Sequence, residues 1–256
     1  MTTRLDLEVD GALARLTLAA GDGENRIEWQ TISELQSLCT ALAEMPELRA
    51  LIVQGEGGNF CRGWSASLLA DAAAPPELRA APGDPFGCLA ELPLPVIAAI
   101  EGDCLSAGLE LALACDLRVA AGTARFALPE SEFGLIPLAG GTQRLPRLVG
   151  HGRALAMVLL GQTIDGVTAE AWGLVNALAG EGGALAQAER LAATIAARGP
   201  IAERFAKEAV QNGSDLPLTR ALRYELDLTV LLQTTEDRAE GVRAFTEKRP
   251  PEFHGR

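Results

Sequence analysis

Apolar and polar residues follow two different patterns along the first hundred residues, and each pattern predicts a different kind of element. Alternation on both sides of the Asp10-Gly11 turn predicts two short strands within residues 4–18. Apolar residues at helical spacing predict a helix over about 28–43. Continuous apolar runs predict buried strands over 48–54 and 95–100, and a glycine-containing turn follows each of them.

The stretch after the second buried strand continues this alternation of strands and helices. The chain turns at Gly102, and the pattern then predicts a helix over 107–114 and strands over 117–120 and 124–128. Strand-turn-helix repeats are typical of α/β proteins with parallel strand pairing, so we expect an α/β core. Residues 70–85 are rich in Ala, Pro and Asp without a sustained period, and we expect a mobile surface segment there.

Helical patterns dominate the last hundred residues. They predict helices over 151–160, 168–173, 183–198, 200–212, 217–233 and 236–247. We divide the chain into an α/β core over 1–195, which carries the candidate site, and a helical region over 196–256. The apolar face that includes Leu222, Leu226 and Val230 can be buried against a neighbouring subunit or within the chain itself, and both alternatives stay open.

The charge of the chain excludes several classes of partner. Its 256 residues contain 22 Lys and Arg against 34 Asp and Glu, which gives a net charge of −12. Such a surface repels nucleic acid and anionic membranes, so we expect neither as a partner. The N-terminal residues lack the apolar core of a signal peptide, and no uncharged apolar run approaches the ~18 residues of a membrane span. The sequence therefore predicts a soluble, cytoplasmic protein.

The cysteines and histidines indicate neither a disulfide framework nor a metal site. The odd number of cysteines, without a closely spaced pair, is typical of free thiols in a reducing compartment. The five are Cys39, Cys61, Cys88, Cys104 and Cys115. His151 and His254 have no companion ligands, and we expect them at the start of a helix and in the tail. We therefore expect no bound metal.

Two carboxylates, Glu110 and Glu130, are the candidates for chemistry. Glu110 follows the Gly102 turn, where a strand ends and a helix begins, and the first N–H groups of a helix have no partner within it. A second glycine-rich turn, over 57–65, also follows a buried strand. Each turn alone is a weak signal. Two of them in consecutive units can direct two N–H donors at one oxygen, as in an oxyanion hole, with carboxylates for proton transfer nearby.

Motifs spread over nearly the whole chain share one resemblance. They are Pro-Val-Ile-Ala-Ala-Ile-Glu-Gly at 95–102, Ala-Gly-Leu-Glu-Leu-Ala at 107–112, Cys-Asp-Leu-Arg-Val-Ala at 115–120, Ala-Arg-Phe-Ala-Leu-Pro-Glu at 124–130, Gly-Gly-Thr-Gln-Arg-Leu-Pro-Arg at 140–147, Ala-Glu-Ala-Trp-Gly-Leu-Val at 169–175 and Glu-Gly-Val-Arg-Ala-Phe-Thr-Glu-Lys-Arg at 240–249. Together these motifs resemble the crotonase (enoyl-CoA hydratase/isomerase) superfamily. The combined run over 95–150 is specific, although no single motif is.

The resemblance implies a fold, an assembly and a substrate. The fold is a spiral of ββα units with a helical C-terminal region used in trimerisation, and the usual assembly is a homotrimer or a homohexamer of two trimers. The substrate is an acyl-coenzyme A thioester, and no separate cofactor is expected because coenzyme A is part of that substrate. The oxyanion donors are the backbone N–H groups of Arg62 and Ala107. Glu110 acts as the base toward water, and Glu130 supplies the proton to the α-carbon.

The resemblance also implies a set of substrate contacts. They are Arg62, Gly63, Trp64, Ser65, Ala107, Leu138 and Lys248. Leu138 departs from the family pattern, because hydratases usually have glycine there and a leucine would narrow the pocket near the reacting carbons. The Arg62 guanidinium either reaches a coenzyme A phosphate or lies in solvent. Trp64 either walls the pantetheine channel or belongs to the core.

Three functions are compatible with these residues. The first is a hydratase that acts on a 2-enoyl-CoA, and the presence of both Glu110 and Glu130 favours it. The second is a double-bond isomerase that depends on one dominant carboxylate, Glu130. The third is a non-catalytic acyl-CoA-binding protein, for which Leu138 is the best argument.

Overall fold

The structure of the chain is a computed structural model that describes residues 2–70 and 84–256, without the side chains of 69 and 70. The segment predicted to be mobile, 70–85, lies outside the described residues except at its ends. Two sheets and a series of helices make up the described part.

Nine strands form the two sheets of the described residues. They are β1 (Arg4–Asp10), β2 (Leu13–Ala19), β3 (Ala50–Gly55), β4 (Val96–Ile100), β5 (Asp103–Leu105), β6 (Leu117–Ala121), β7 (Arg125–Ala127), β8 (Ile164–Asp165) and β9 (Ala177–Ala179). The large sheet has the order β1-β2-β3-β4-β6-β9, antiparallel between β1 and β2 and parallel elsewhere. The small sheet has the order β5-β7-β8, with β5 and β7 parallel. The predicted α/β core with parallel pairing is confirmed.

The described helices cover the sheets and form the C-terminal region. They are α1 (Trp29–Ala43), α2 (Ala66–Ala70), α3 (Gly87–Ala90), α4 (Ala107–Ala114), α5 (Gly141–Val149), α6 (His151–Leu160), α7 (Gly166–Ala171), α8 (Ala184–Ala196), α9 (Pro200–Gly213), α10 (Leu218–Leu232) and α11 (Glu236–Glu247). A 3₁₀ turn spans Glu130–Phe133. Within the described ranges, no helix has both the length and the apolar character that a membrane crossing requires.

The large sheet is buried on both faces, as the continuous apolar runs of its central strands predict. All five residues of β4 are buried. One face packs against α1 and α4 in the main core, and the other packs against α8. The contact residues of α8, Ala184, Ala188 and Ala192, recur every four residues and are small, so the helix lies close to the sheet. This packing fixes β4, and through it the turn that leads into α4.

Candidate active site

Two backbone segments run side by side at the end of β4. The Phe60 amide donates to the Glu101 carbonyl at 2.8 Å, and the Cys61 amide donates to the Asp103 carbonyl at 2.9 Å. The Leu105 amide donates back to the Cys61 carbonyl at 2.9 Å. The glycine-rich turn that follows β3 is therefore held in parallel alignment with β5, just before α4 begins.

Glycines allow these segments to approach closely. A Cβ on Gly108 would lie 2.3 Å from the Cys61 carbonyl oxygen, and a Cβ on Gly63 would lie 2.7 Å from the Ser106 Cβ. Neither position has room for a larger residue without movement of the backbone. The first turn of α4 therefore lies directly against residues 61–63.

The backbone N–H of Arg62 is already occupied, in contrast to the prediction for it. This amide donates to the Glu24 carbonyl at 2.9 Å, so it is not free to bind a substrate oxygen. Its neighbours are also used: the Gly63 carbonyl accepts from the Ile27 amide at 2.8 Å, and the Ser65 amide donates to the Ile27 carbonyl at 2.9 Å. The assignment of an oxyanion donor to Arg62 is therefore corrected, because a carbonyl from a distant loop takes up that N–H.

Several other amides at this junction have no acceptor among the described residues, and two of them are candidates to bind a substrate oxygen. One belongs to Trp64 and the other to Ala107, the first residue of α4. Ala107 is free because the first N–H groups of a helix have no intrahelical acceptor, and it is fully buried. Ser106 precedes it with a φ of 53°, a conformation that costs energy for a residue with a Cβ and that turns the chain sharply into the helix.

Glu110 lies on α4 and is fully buried. Its Oε1 accepts from the amides of Ala139 at 2.7 Å and Gly141 at 2.9 Å, whereas its Oε2 has no partner in the described part of the chain. Burial raises the pKa of Glu110 to about 7 against the opposing effect of the two amides, and the nearby Glu130 raises it further. The side chain thus has one anchored oxygen and one oxygen available for proton transfer.

Glu130 begins the 3₁₀ turn and is only 4% exposed. Neither carboxylate oxygen has a hydrogen-bond partner among the residues described. Burial raises the pKa of Glu130, and the proximity of Glu110 is evident from the effect of Glu130 on the pKa of that residue. The structure buries both predicted carboxylates, close enough for the charge of Glu130 to affect the pKa of Glu110, and burial favours retention of a proton.

Comparison with known proteins places this geometry in a family. The sequence model for enoyl-CoA hydratase/isomerase matches residues 8–256. A probable enoyl-CoA hydratase of Mycobacterium tuberculosis is 36% identical over 247 residues, which cover 96% of each chain. The crotonyl-CoA hydratase of Syntrophomonas wolfei is 35% identical over 256 residues, again with 96% of each chain covered. The crystal structure of an enoyl-CoA hydratase from Bacillus anthracis matches with a TM-score of 0.90 and 35% identity, over 98% of this chain and 99% of that one.

The chain belongs to the enoyl-CoA hydratase/isomerase family. Its fold is the crotonase fold, as the resemblance implies, with the helical C-terminal region present.

Some of the substrate contacts implied by the family resemblance have other roles within this chain. The Trp64 side chain is 2% exposed and stacks on Phe86 with ring centroids 6.0 Å apart, so it belongs to the core. The Ser65 hydroxyl accepts from the Leu68 amide at 3.3 Å and thereby caps α2. Lys248 is exposed at the end of α11, and none of the described hydrogen bonds joins it to the segments that carry Glu110 or Glu130.

Leu138 lies in the loop that holds Glu110, one residue before the Ala139 amide. It is 39% exposed, and the neighbouring Phe133 and Ile136 are more exposed still. The loop therefore combines two polar contacts to a buried carboxylate with an apolar outer surface. Leu138 stays a predicted substrate contact of this family member.

The Arg62 guanidinium is held in a cluster of charges. Its Nε lies 2.9 Å from Asp103, and its Nη1 lies 2.8 Å from Glu24. Asp103 also pairs with Arg125 at 2.7 Å, and Glu24 pairs with Arg26 at 2.7 Å. Burial raises the pKa of Asp103, but the two guanidinium groups outweigh it and leave this pKa lowered. These ion pairs show that the Arg62 guanidinium does not lie free in solvent, and its contact with a coenzyme A phosphate stays a prediction.

Cys61 and Cys104 are next to the site but are poor nucleophiles. Both are fully buried, and burial raises the pKa of Cys61 to about 12 and the pKa of Cys104 well above its usual value. All five cysteines are free thiols, and no group of His, Cys, Asp or Glu in the described ranges could hold a metal ion. The groups suited to proton transfer are therefore the two carboxylates.

Proposed function

We propose that the protein adds water to the double bond of a 2-enoyl-CoA thioester. The observation that supports this most directly is a pair of buried carboxylates with unpartnered oxygens next to two amides without acceptors. Its family includes hydratases, and similar proteins include one named crotonyl-CoA hydratase. The chain length and the ring character of the acyl group are left open by these residues.

In this proposal the amides of Trp64 and Ala107 bind the thioester oxygen. Addition to the conjugated double bond places negative charge on that oxygen, which becomes enolate-like. Fixed N–H donors in a buried site stabilise the developing charge without reorganisation, and each contributes on the order of 3 kcal/mol. Trp64 replaces Arg62 as the partner of Ala107, because its amide is the one without an acceptor.

Glu110 and Glu130 divide the proton transfers. The two amides on Glu110 Oε1 favour its ionised form, so Oε2 can take a proton from water as the water oxygen bonds to the β-carbon. Burial raises the pKa of Glu130 against the opposing effect of the Ser106 side chain, so its protonated form delivers the proton to the α-carbon. One proton is taken up and one is given, and exchange between the adjacent carboxyls restores the starting state.

The decisive experiment follows the loss of conjugated thioester absorbance with crotonyl-CoA and longer 2-enoyl-CoA substrates. Glu110→Gln and Glu130→Gln should each lower kcat by roughly 10²- to 10⁴-fold, the usual contribution of a general acid or base. Glu132→Gln is the matched control, because Glu132 is an exposed carboxylate on the same 3₁₀ turn. Equal losses in all three variants would contradict the assignment.

The same assay distinguishes the two alternatives. An isomerase would convert a 3-enoyl-CoA and leave the 2-enoyl-CoA unhydrated, with Glu130→Gln as the damaging variant. This alternative draws on the unpartnered oxygens of Glu130, which can carry a proton between two carbons. A non-catalytic protein would bind acyl-CoA thioesters without converting either.

The proposal includes a homotrimeric assembly, or a pair of trimers. Helix α10 presents Leu222, Leu226 and Val230 to solvent, each more than half exposed. A single chain rarely leaves such a continuous apolar stripe uncovered. Burial of this stripe against a second copy would account for it.

A further inference from the structure

We propose that Arg26 is a positioning residue that holds the Trp64 amide in place for the substrate oxygen. This inference rests on the proposed role of Trp64 as an oxyanion donor. Arg26 does not touch the substrate in this scheme, and it acts through the backbone of residues 62–64.

Arg26 donates hydrogen bonds to the backbone on both sides of the Trp64 amide. Its Nη1 donates to the Arg62 carbonyl and to the Trp64 carbonyl, both at 3.2 Å. One guanidinium nitrogen therefore bridges the peptide bond before Gly63–Trp64 and the peptide bond after it. Hydrogen bonds from a charged donor are stronger than those between neutral groups.

The Gly63–Trp64 peptide needs such support because glycine is conformationally permissive. Gly63 has a φ of 103°, which residues with a Cβ rarely adopt and from which glycine rotates at little cost. The Gly63 carbonyl is fixed by the Ile27 amide, and in a trans peptide the next N–H points the opposite way. The Trp64 N–H thus faces away from Ile27, and the two Arg26 contacts limit its rotation.

Arg26 is itself held from two directions. Its Nε donates to Glu24 at 2.7 Å, and the Thr3 hydroxyl donates to its backbone carbonyl at 2.6 Å. The Glu24 backbone carbonyl also accepts a hydrogen bond from the Arg62 amide. Glu24 therefore both orients the Arg26 guanidinium and holds the backbone segment that Arg26 contacts. This pre-organisation limits the entropy lost when the substrate binds.

The test compares Arg26→Gln with Arg125→Gln. Arg125 belongs to the same charge cluster, but its described side-chain contacts are with Asp103 and not with the carbonyls of residues 62–64. Arg26→Gln should lower kcat on the order of tenfold, because displacement of one oxyanion donor forfeits part of its ~10²- to 10³-fold effect. KM should change much less, and Arg125→Gln should keep the wild-type kcat.

A spectroscopic readout separates positioning from general damage. Polarisation of a conjugated thioester by an oxyanion hole shifts its absorbance to longer wavelength. The absorbance of 2,4-hexadienoyl-CoA bound to the Glu110→Gln/Glu130→Gln protein therefore measures the strength of the oxyanion donors without turnover. Adding Arg26→Gln should reduce this red shift, and adding Arg125→Gln should leave it. If Arg26→Gln does not fold, Arg26→Lys serves instead, because it keeps the charge without the planar fork and should lose part of the shift.

These measurements test the positioning role of Arg26 and the proposed hydration activity separately. If Arg26→Gln, or Arg26→Lys in its place, has the same red shift and the same kcat as Arg125→Gln, the positioning role is overturned. The proposed hydration activity is unaffected by that result. The absence of any red shift in the parent protein would also overturn the positioning role. A red shift that depends on Arg26 in a protein whose wild type does not hydrate 2-enoyl-CoA would support positioning and refute the proposed function.

Discussion

The two oxygens of Glu110 have different surroundings, and this difference determines what the residue can do. Oε1 receives two backbone amides, and Oε2 receives none. Burial raises the pKa of this carboxyl, and the two amides oppose that rise; without burial, the amides would hold its pKa below the ordinary value of 4.5. The balance leaves a carboxylate that can both take and return a proton near neutral pH.

This balance predicts the pH dependence of catalysis. Glu110 must be ionised to accept a proton, and its pKa is raised to about 7, so kcat/KM should fall as the pH drops below about 7 and approach a tenfold loss per pH unit. Glu130 must be protonated, so its ionisation should lower kcat/KM as the pH rises, and burial, which raises the pKa of Glu130, moves that loss to higher pH. A pH profile of kcat/KM measures both limbs. An acid limb near 4.5 would show that the pKa of Glu110 is not raised in the free enzyme.

At the scale of the elements, the site depends on how closely α4 approaches the turn before it. Gly108→Ala would place a Cβ 2.3 Å from the Cys61 carbonyl oxygen and push apart the segments that carry the Trp64 and Ala107 amides. We expect a loss of unfolding free energy of about 1–3 kcal/mol, as for other overpacked sites, together with a lower kcat. Thermal unfolding and the hydration assay measure the two effects.

The control for this substitution is Gly152→Ala in α6. Nothing lies within 4 Å of a Cβ at Gly152, and it is exposed within the helix. Alanine there should stabilise the protein by up to about 1 kcal/mol, because it favours the helix without a clash. If both alanine variants behaved alike, close approach would not be what Gly108 provides.

The sequence predicts the elements where local patterns are strong. The strands at β3 and β4 and the long helices α1, α8, α9, α10 and α11 agree with their predicted positions to within a few residues. Helix α5 was not predicted: Gly140 precedes it, Gly141 is its first residue, it contains Pro146, and it has only nine residues. Strands β8 and β9, with two and three residues, are too short for any period to be visible.

The site could be predicted where motifs carry it and not where tertiary contacts decide it. The pairing of Glu110 with Glu130 followed from the family resemblance. The assignment of an oxyanion donor to Arg62 is wrong because the sequence does not reveal that the Glu24 carbonyl, 38 residues away, takes up the Arg62 amide. The sequence also does not indicate the proposed positioning role of Arg26, because the loop that carries Arg26 contacts residues 62–64 only in the folded chain.

At the scale of the whole molecule, the apolar stripe on α10 predicts the assembly. Leu226→Glu would put a charge into the centre of a buried interface, so the trimer or hexamer should dissociate toward monomers. Light scattering coupled to size-exclusion chromatography measures the mass. Arg223→Gln lowers the net charge by the same amount on an adjacent polar position and should leave the mass unchanged. A monomeric wild-type protein would refute the proposed assembly.

The arginine cluster gives an overall acidic protein one patch of the opposite sign. Arg26, Arg62 and Arg125 meet two carboxylates there, which leaves one excess positive charge in a chain of net charge −12. At about 10 mM salt the screening length is roughly 30 Å, so the acidic surface as a whole repels an anionic substrate. At about 150 mM the length falls to roughly 8 Å, and most of that repulsion is screened. Moderate ionic strength should therefore tighten substrate capture in this protein, the reverse of what a basic surface would give.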